Sequence, residues 1–234
     1  MKILAIDSSS LAASAAIWQG DKLLGEFFIN AGLTHSQTLM PMVQQLLHTT
    51  QTALEDLDCF AVSVGPGSFT GLRIGISAVK GMAFGLQKPC VAVSTLEGLA
   101  CNLQGFDGIL CPVMDARCQQ VYTALFEAGA GGIRRLTDDA ALPLEELGIL
   151  LKKQKKSVIL VGDGALMCYN NLDQKEGIAV APAPLRHQRA ASVGAVALQR
   201  ARQGAVCPAD ALVPAYLRLP QAQRELLARQ QPKG

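Results

Sequence analysis

The chain is poor in charge, in aromatic side chains and in long apolar runs. Of its 234 residues 17% are charged, 5% are aromatic and 50% are hydrophobic, which indicates a compact globular protein and excludes a disordered or fibrous one. The apolar runs are too short, and too often broken by glycine or aspartate, to span a bilayer. A net charge of +2 argues against a stand-alone nucleic-acid-binding protein.

CxxC pairs and an N-terminal signal segment are also missing. The seven cysteines lie mostly in apolar segments, so we expect them to be reduced thiols of the core. Met1-Lys2 leads directly into a predicted strand that ends at Asp7, with no apolar leader before it. These features predict a cytoplasmic protein. Its length allows one large domain or two small lobes.

The most informative segment covers residues 59–86. Its apolar run breaks at Gly65-Pro66-Gly67 and then takes a helical spacing, which predicts a buried strand, a glycine turn and a helix capped by Ser68 or Thr70. Glycines inside this helix, Gly71 and Gly75 among them, each cost about 1 kcal/mol relative to alanine. Such a cost suggests that something packs very closely against the helix.

Three explanations of these glycines stay open on the sequence alone. The glycines could fit the helix onto its own sheet, they could admit a helix of a partner, or the helix N-terminus could bind an anion. The Walker phosphate loop is excluded, because Leu72-Arg73 stands where that motif needs lysine followed by serine or threonine.

The order of predicted elements repeats. Each half reads β-β-β-α-β-α-β-α, and Asp7 to Trp18 has the same spacing as Asp115 to Phe126. The alternation predicts an α/β protein with two similar lobes, each a mixed sheet with flanking helices, over residues 1–104 and 105–234. We predict a single second-half strand at residues 121–127 and a charged helix at residues 218–229.

A duplicated lobe of this plan resembles the actin, Hsp70 and sugar-kinase (ASKHA) superfamily, whose members usually bind ATP between the lobes. Asp7-Ser8-Ser9-Ser10 resembles the first phosphate loop of that superfamily, although Ser9 replaces its usual glycine. Gly162-Asp163-Gly164 follows a second-half strand and could approach a nucleotide or be an ordinary turn. The candidate cofactor-binding residues are therefore Asp7, Ser9, Gly162 and Gly164.

Three motifs resemble the TsaB (YeaZ) family. They are the long segment at residues 65–85 together with His35-Ser36-Gln37, the Val113-Met114-Asp115-Ala116-Arg117 strand end, and Pro214-Ala215-Tyr216-Leu217-Arg218. The resemblance covers nearly the whole chain. It implies a bacterial cytoplasmic protein needed to form N6-threonylcarbamoyladenosine in tRNA, on the adenosine beside the anticodon.

The resemblance also implies partners. TsaB-like proteins pair with a catalytic paralogue, TsaD, and an ATPase, TsaE, joins them. We expect two helices of this chain to dock on the equivalent helices of TsaD, and the same surface to form a homodimer when TsaD is missing. Gly75→Leu should then abolish the complex and leave the monomer folded. The predicted interface consists of Leu39, Val43, Leu46, Gly71, Arg73, Gly75, Ala78 and Met82.

A catalytic role is not expected. TsaD-like proteins bind a metal through two histidines, and Thr95 and Leu99 stand at the corresponding positions here. The three histidines, His35, His48 and His187, are read as capping or surface groups rather than as bases. We predict no metal and no cofactor in the isolated chain, and a nucleotide could bind at the boundary with TsaD.

Two enzyme hypotheses remain as alternatives: an ATPase or kinase that uses the cleft, and a peptidase. For the first, Asp115 and Arg117 could face the cleft as an acid and its charge partner, or form an ion pair that joins the lobes. For the second, Ser68 lacks a Gly-x-Ser-x-Gly elbow. Contact with tRNA is expected only through the complex, where a basic cluster at Lys152, Lys153, Lys155 and Lys156 could be a supporting phosphate contact or a solvated helix face.

Overall fold

The first half of the chain forms a five-stranded sheet. The computed structural model describes residues 1–218. Its first-half elements are β1 (Lys2–Asp7), β2 (Ala13–Gln19), β3 (Lys22–Ile29), α1 (His35–Thr49), β4 (Cys59–Gly65), α2 (Phe69–Leu86), β5 (Cys90–Ser94) and α3 (Thr95–Cys101). The strand order is β3-β2-β1-β4-β5, with β1, β4 and β5 parallel. The predicted order of elements is confirmed throughout this half.

The second half repeats the sheet with an inserted hairpin. Its order, β10-β7-β6-β11-β12, has the same parallel and antiparallel pairs as the first sheet. The elements are β6 (Gly108–Asp115), β7 (Gln120–Thr123), β8 (Phe126–Gly129), β9 (Gly132–Arg135), β10 (Ala140–Pro143), α4 (Leu144–Lys152), β11 (Val158–Val161), α5 (Ala165–Asn171), β12 (Ile178–Val180) and α6 (Ala190–Arg202).

The single strand predicted at residues 121–127 is wrong. The segment forms two strands that pair with different parts of β6: β7 pairs with Val113–Asp115, and β8 pairs with Gly108–Leu110. The chain crosses from one part to the other at Ala124 and Leu125, whose side chains are buried. Strand β10 was not predicted. The helix predicted at residues 218–229 lies outside the described residues, apart from Arg218.

The core consists of four apolar clusters, each lying between helices and one face of a sheet. Helices α1 and α2 cover one face of the first sheet, and α4 and α5 cover the outer face of the second. The other two faces are covered by helices exchanged between the halves. Helix α6 packs on the first sheet, where Gly194 lies directly against the Trp18 ring, while Leu96, Leu99 and their neighbours on α3 pack on the second sheet. In the described part of the chain, no helix is long and apolar enough to cross a membrane.

The amino end of α2 is fixed at the junction of the halves. The strand β4 before it is buried along almost its whole length, as expected of a strand between two parallel neighbours. The Ser68 side chain caps the helix by accepting a hydrogen bond from the Gly71 amide at 3.2 Å, so of the two predicted caps Ser68 is the one used. The helix ends at Leu86 and is capped at its carboxyl end by Gln87, which has a left-handed φ of 51°.

Candidate functional site

A cleft of about 530 Å³ separates the ends of the two sheets. Its first-half wall is formed by the turn after β1 and the first residues of α2. Its second-half wall is formed by the turn after β6 and by Asp163, and residues 215–218 close a third side. This is the location at which the sequence predicted a nucleotide site.

The first-half acid, Asp7, is buried behind the cleft wall. Its carboxylate accepts hydrogen bonds from the Ser9 amide at 2.9 Å, the Ser9 hydroxyl at 2.8 Å and the Ser63 hydroxyl. Burial raises the pKa of Asp7 above its ordinary value, against the opposing effect of these hydrogen bonds. Asp7 therefore holds the turn together, and of the two first-half candidates only Ser9 lines the cleft.

Neither of the second-half candidates, Gly162 and Gly164, lines the cleft. A Cβ at Gly162 would collide with the Val113 carbonyl oxygen, and one at Gly164 would lie 3.0 Å from the Asp115 amide nitrogen. Both glycines therefore serve close packing against the end of β6. Asp163 between them lines the cleft, and its Oδ1 is buried with no hydrogen-bond partner among the described residues. Burial, helped by the nearby Asp115 carboxylate, raises the pKa of Asp163 to about 6.

The predicted ion pair between Asp115 and Arg117 is not formed within residues 1–218. The exposed Asp115 carboxylate instead accepts a hydrogen bond from the Arg117 backbone amide at 2.7 Å. Arg117, Cys118 and Gln119 all have left-handed φ values, of 64°, 54° and 54°. Three consecutive non-glycine residues in that region are unfavourable, so neighbouring contacts must hold this turn.

A second concave surface lies between α1 and α2. This groove of about 610 Å³ is lined by His35, Ser36, Leu39, Met40, Phe69, Thr70, Arg73, Ile74, Ser77 and Ala78. Beyond it, along α2, Phe84 is 76% exposed, and a Cβ at Gly81 or Gly85 would meet nothing within 4 Å. We call the groove and this extension the α1–α2 surface.

Most of the predicted interface lies inside the molecule, which corrects its assignment to a surface. Leu39, Val43 and Leu46 are buried in the core between α1 and the first sheet. A Cβ at Gly71 would overlap the Ser8 carbonyl oxygen, and one at Gly75 would overlap the Ser8 hydroxyl. These two glycines thus fit the helix onto its own lobe, and Gly75→Leu would disrupt the monomer rather than spare it.

The remaining predicted interface residues are partly accessible. Ala78 and Met82 are half-buried against the core, whereas Arg73 is exposed and lines the groove. The exposed Phe84 and Met40 were missed. Their apolar character at otherwise solvent-facing positions was the available signal.

The other singled-out residues are a histidine, two residues of α3 and the basic cluster. His35 Nε2 lies 2.7 Å from the Ser10 carbonyl oxygen, and Thr95 and Leu99 are buried in α3. In the basic cluster, Lys156 pairs with Glu127 at 2.8 Å and Lys152 with Asp173 at 3.8 Å. Within the described residues, no three His, Cys, Asp or Glu side chains are grouped to hold a metal ion.

Sequence comparisons match this chain to two related groups of proteins, named TsaD and TsaB. The profile of the family described as TsaD, tRNA N6-adenosine threonylcarbamoyltransferase, matches residues 30–226. The tRNA threonylcarbamoyladenosine biosynthesis protein TsaB of Escherichia coli (strain K12) is 31% identical over 93% of this chain and 95% of its own length. The protein of the same name from Bacillus subtilis (strain 168) is 38% identical over 69% of this chain and 71% of its own.

Solved structures agree with these relatives. YeaZ from Pseudomonas aeruginosa superposes with a TM-score of 0.80 at 30% identity, covering 92% of this chain and 99% of that one. Component A of the Acidaminococcus fermentans (R)-2-hydroxyglutaryl-CoA dehydratase, at 13% identity and a TM-score of 0.51 over 86% of this chain and 99% of that one, shares the fold alone. The predicted two-lobed ASKHA fold is confirmed. The chain belongs to the TsaB (YeaZ) family.

Proposed function

We propose that this chain is a non-catalytic subunit required for N6-threonylcarbamoyladenosine formation in tRNA. In this proposal it binds and supports a TsaD-like transferase, TsaE joins the pair, and tRNA is contacted only through the assembly. Two curated relatives are named for this biosynthesis. The profile that matches residues 30–226 is that of the transferase itself, so the chain and its proposed partner have a common origin.

The observation that carries the proposal is the α1–α2 surface. Phe84 stands 76% exposed on a helix whose neighbouring positions, Gly81 and Gly85, have no side chains to keep another helix away. An exposed aromatic residue on a flat helix face is a typical anchor of a protein interface. Arg73 and the half-buried apolar groups of the adjoining groove extend the same face.

The residues of this chain at positions that are reactive in TsaD support a non-catalytic role. At the two positions where the family resemblance puts the metal ligands of TsaD, this chain has Thr95 and Leu99, both buried in the core. Leucine has no donor atom. Asp7, which corresponds to an acid of the superfamily phosphate loop, is buried and saturated by hydrogen bonds from Ser9 and Ser63. We therefore assign no cofactor to the isolated chain and propose nucleotide as a ligand of the boundary with TsaD.

Reconstitution tests the proposal. Purified TsaD, TsaE and the threonylcarbamoyl-adenylate synthase are assayed for modified tRNA with and without this chain. We expect modification to require the chain. We expect Phe84→Asp to abolish both modification and co-elution with TsaD, since a charge would replace the apolar anchor.

Ile149→Asp is the matched control. It puts the same charge on an exposed apolar position of α4, in the other lobe, where Ile149 is 50% exposed. Both variants should unfold at the same temperature as wild type within about 2 °C, because surface substitutions change stability little. Modified tRNA formed equally well by Phe84→Asp and Ile149→Asp would refute docking through this surface. Modification without the chain would refute the requirement.

The isolated chain offers an independent measurement. We propose that the same surface forms a homodimer when TsaD is missing. Sedimentation at increasing protein concentration should show self-association of wild type and Ile149→Asp, and a monomer for Phe84→Asp. Self-association unchanged in Phe84→Asp would assign the homodimer to a different surface.

A further inference from the structure

A short segment near the end of the described chain joins the two lobes. Residues 214–218, which we call the strap, follow a 3-10 turn that packs against α2 through Ala209 and Leu212. The Ala215 amide donates a hydrogen bond to the Val64 carbonyl at 2.7 Å. A Cβ at Gly65 would lie 2.5 Å from the Ala215 carbonyl oxygen, so the strap lies directly on the glycine turn before α2.

The middle of the strap holds Arg73. The Tyr216 ring stacks on Phe69 with centroids 4.5 Å apart, and its hydroxyl accepts a hydrogen bond from Arg73 Nε at 2.9 Å. The Arg73 guanidinium carbon lies 3.9 Å from the Phe69 ring centroid. Phe69 and Arg73 also line the α1–α2 groove. The strap therefore sets the orientation of a charged group on the proposed docking surface.

The end of the strap holds the second lobe. Arg218 Nη1 donates hydrogen bonds to the carbonyl oxygens of Ala116 and, at 3.1 Å, Arg117. These carbonyls begin the left-handed turn at residues 117–119, which forms part of the cleft wall. A turn in an unfavourable conformation persists only while its surroundings hold it. Arg218 is one of the contacts that hold this turn.

We propose that the strap couples the α1–α2 surface to the turn at residues 117–119, with Tyr216 as the positioning residue of Arg73. In the isolated chain Arg73 contacts neutral groups, a phenol and a ring, so the partner feature that it would recognise is a carboxylate. A partner carboxylate at Arg73 fixes Phe69 and Tyr216 beside it. The fixed strap then holds Arg218 on the turn across the cleft. This inference rests on the docking of a TsaD-like partner proposed above.

Amide hydrogen exchange of the full chain, with and without a TsaD-like partner, tests the coupling. In wild type we expect the partner to slow exchange both on the α1–α2 surface and in peptides that cover residues 115–121, on the far side of the cleft. In Arg218→Gln, protection of the α1–α2 surface should remain and protection of residues 115–121 should disappear. Arg134→Gln is the matched control, because it removes an exposed arginine whose partner is Glu127.

Tyr216→Phe tests the positioning of Arg73. The change keeps the stacked ring and removes only the hydroxyl that accepts from Arg73, so we expect partner affinity to fall roughly threefold to tenfold, as for the loss of one hydrogen bond. Tyr169→Phe on α5 is the control and should bind as wild type does. A purely structural role of Tyr216 would leave affinity unchanged once the variant is folded.

The outcomes separate this inference from the proposed function. If the partner binds wild type but leaves residues 115–121 unprotected, the coupling is refuted and docking stands. If the partner does not bind wild type, both are refuted. Should Arg218→Gln fail to fold, Arg218→Lys keeps the charge and loses the forked donors, and it should show partial protection of residues 115–121. Full protection in Arg218→Lys would refute the coupling.

Discussion

The two lobes end their first strands in opposite ways. At the end of β1, Asp7 is buried and its carboxylate is fully engaged by Ser9 and Ser63. At the end of β6, Asp115 is exposed, and Asp163 beside it keeps one buried oxygen without a partner in the described structure. The two positions correspond in the two sheets, since β1 and β6 occupy the same place in the strand order.

The difference shows two ways of stabilising one architectural position. The turn after β1 packs directly against the glycines of α2, which leave no space for a side chain between them. The second-lobe turn is open to the cleft and is held by hydrogen bonds from the strap. The first is therefore expected to be sensitive to volume and the second to charge.

The largest effect should come from volume at the first-lobe turn. In Gly71→Ala the new methyl group would overlap the Ser8 carbonyl oxygen and lie 3.2 Å from His35 Cδ2. Since backbone must move, we expect a loss of about 3 kcal/mol or more in the free energy of unfolding. Urea denaturation at constant m-value measures it. A loss below about 1 kcal/mol would show that the turn is loosely packed.

The next effect should come from removing the first-lobe acid. Asp7→Ala leaves the Ser9 amide and the Ser63 hydroxyl without their acceptor in a buried site, and we expect a loss of about 2 kcal/mol. Asp21→Ala is the control: its carboxylate is 87% exposed and pairs with Arg202 at the surface, which predicts a change under about 0.5 kcal/mol. Equal effects of both variants would contradict a structural role for Asp7.

Removing the buried acid of the second lobe, Asp163, should raise the stability at high pH instead of lowering it. Because the pKa of Asp163 is raised to about 6 in the folded protein from an ordinary 3.8, the native state binds more protons than the unfolded state between these values. Stability due to this group is therefore present at low pH and falls as the pH rises from about 4 to 6. Asp163→Asn cannot ionise, so it should add about 1–2 kcal/mol at pH 8 and little at pH 4.

The free energy of unfolding of wild type and Asp163→Asn, measured from pH 4 to pH 8, tests this prediction. Asp115→Asn should give a smaller gain at pH 8, since the Asp115 charge is a secondary cause of the raised pKa of Asp163 and burial is the first. A destabilised Asp163→Asn at pH 8 would show that the charged carboxylate has a partner that stabilises it.

The smallest effect on stability should come from replacing a glycine on the solvent-exposed side of α2. A methyl group at Gly81 would meet nothing within 4 Å, so Gly81→Ala should stabilise the monomer by up to about 1 kcal/mol through helix propensity alone. This is the matched control for Gly71→Ala, in the same helix with the same substitution. Opposite signs for the two variants would establish that α2 has an inward and an outward half.

Much of the fold could be predicted because it is encoded locally. The change of period located α2 and limited its cap to Ser68 or Thr70, and the spacing repeat located the two sheets. The predicted interface included buried glycines for a physical reason: glycine permits close approach on any side, so spacing does not tell whether Gly71 faces a partner or its own Ser8.

The strap could not be predicted for a different reason. The Tyr216 hydroxyl meets Arg73 across 143 positions of sequence, and Arg218 meets Ala116 across 102. Neither pair follows from periodicity or from local composition. The split of the segment at residues 121–127 also depends on tertiary structure, because it follows from which part of β6 is free to pair.

The exchange of α3 and α6 between the sheets bears on how the chain can be divided. A fragment that stops at residue 104 would expose the face of its sheet that α6 covers, and the complementary fragment would lose α3 from its own. Each fragment alone would present a wide apolar surface to solvent, whereas the two expressed together could restore both interfaces. Such mutual completion makes the molecule a natural candidate for a split reporter whose reassembly is driven by its own core.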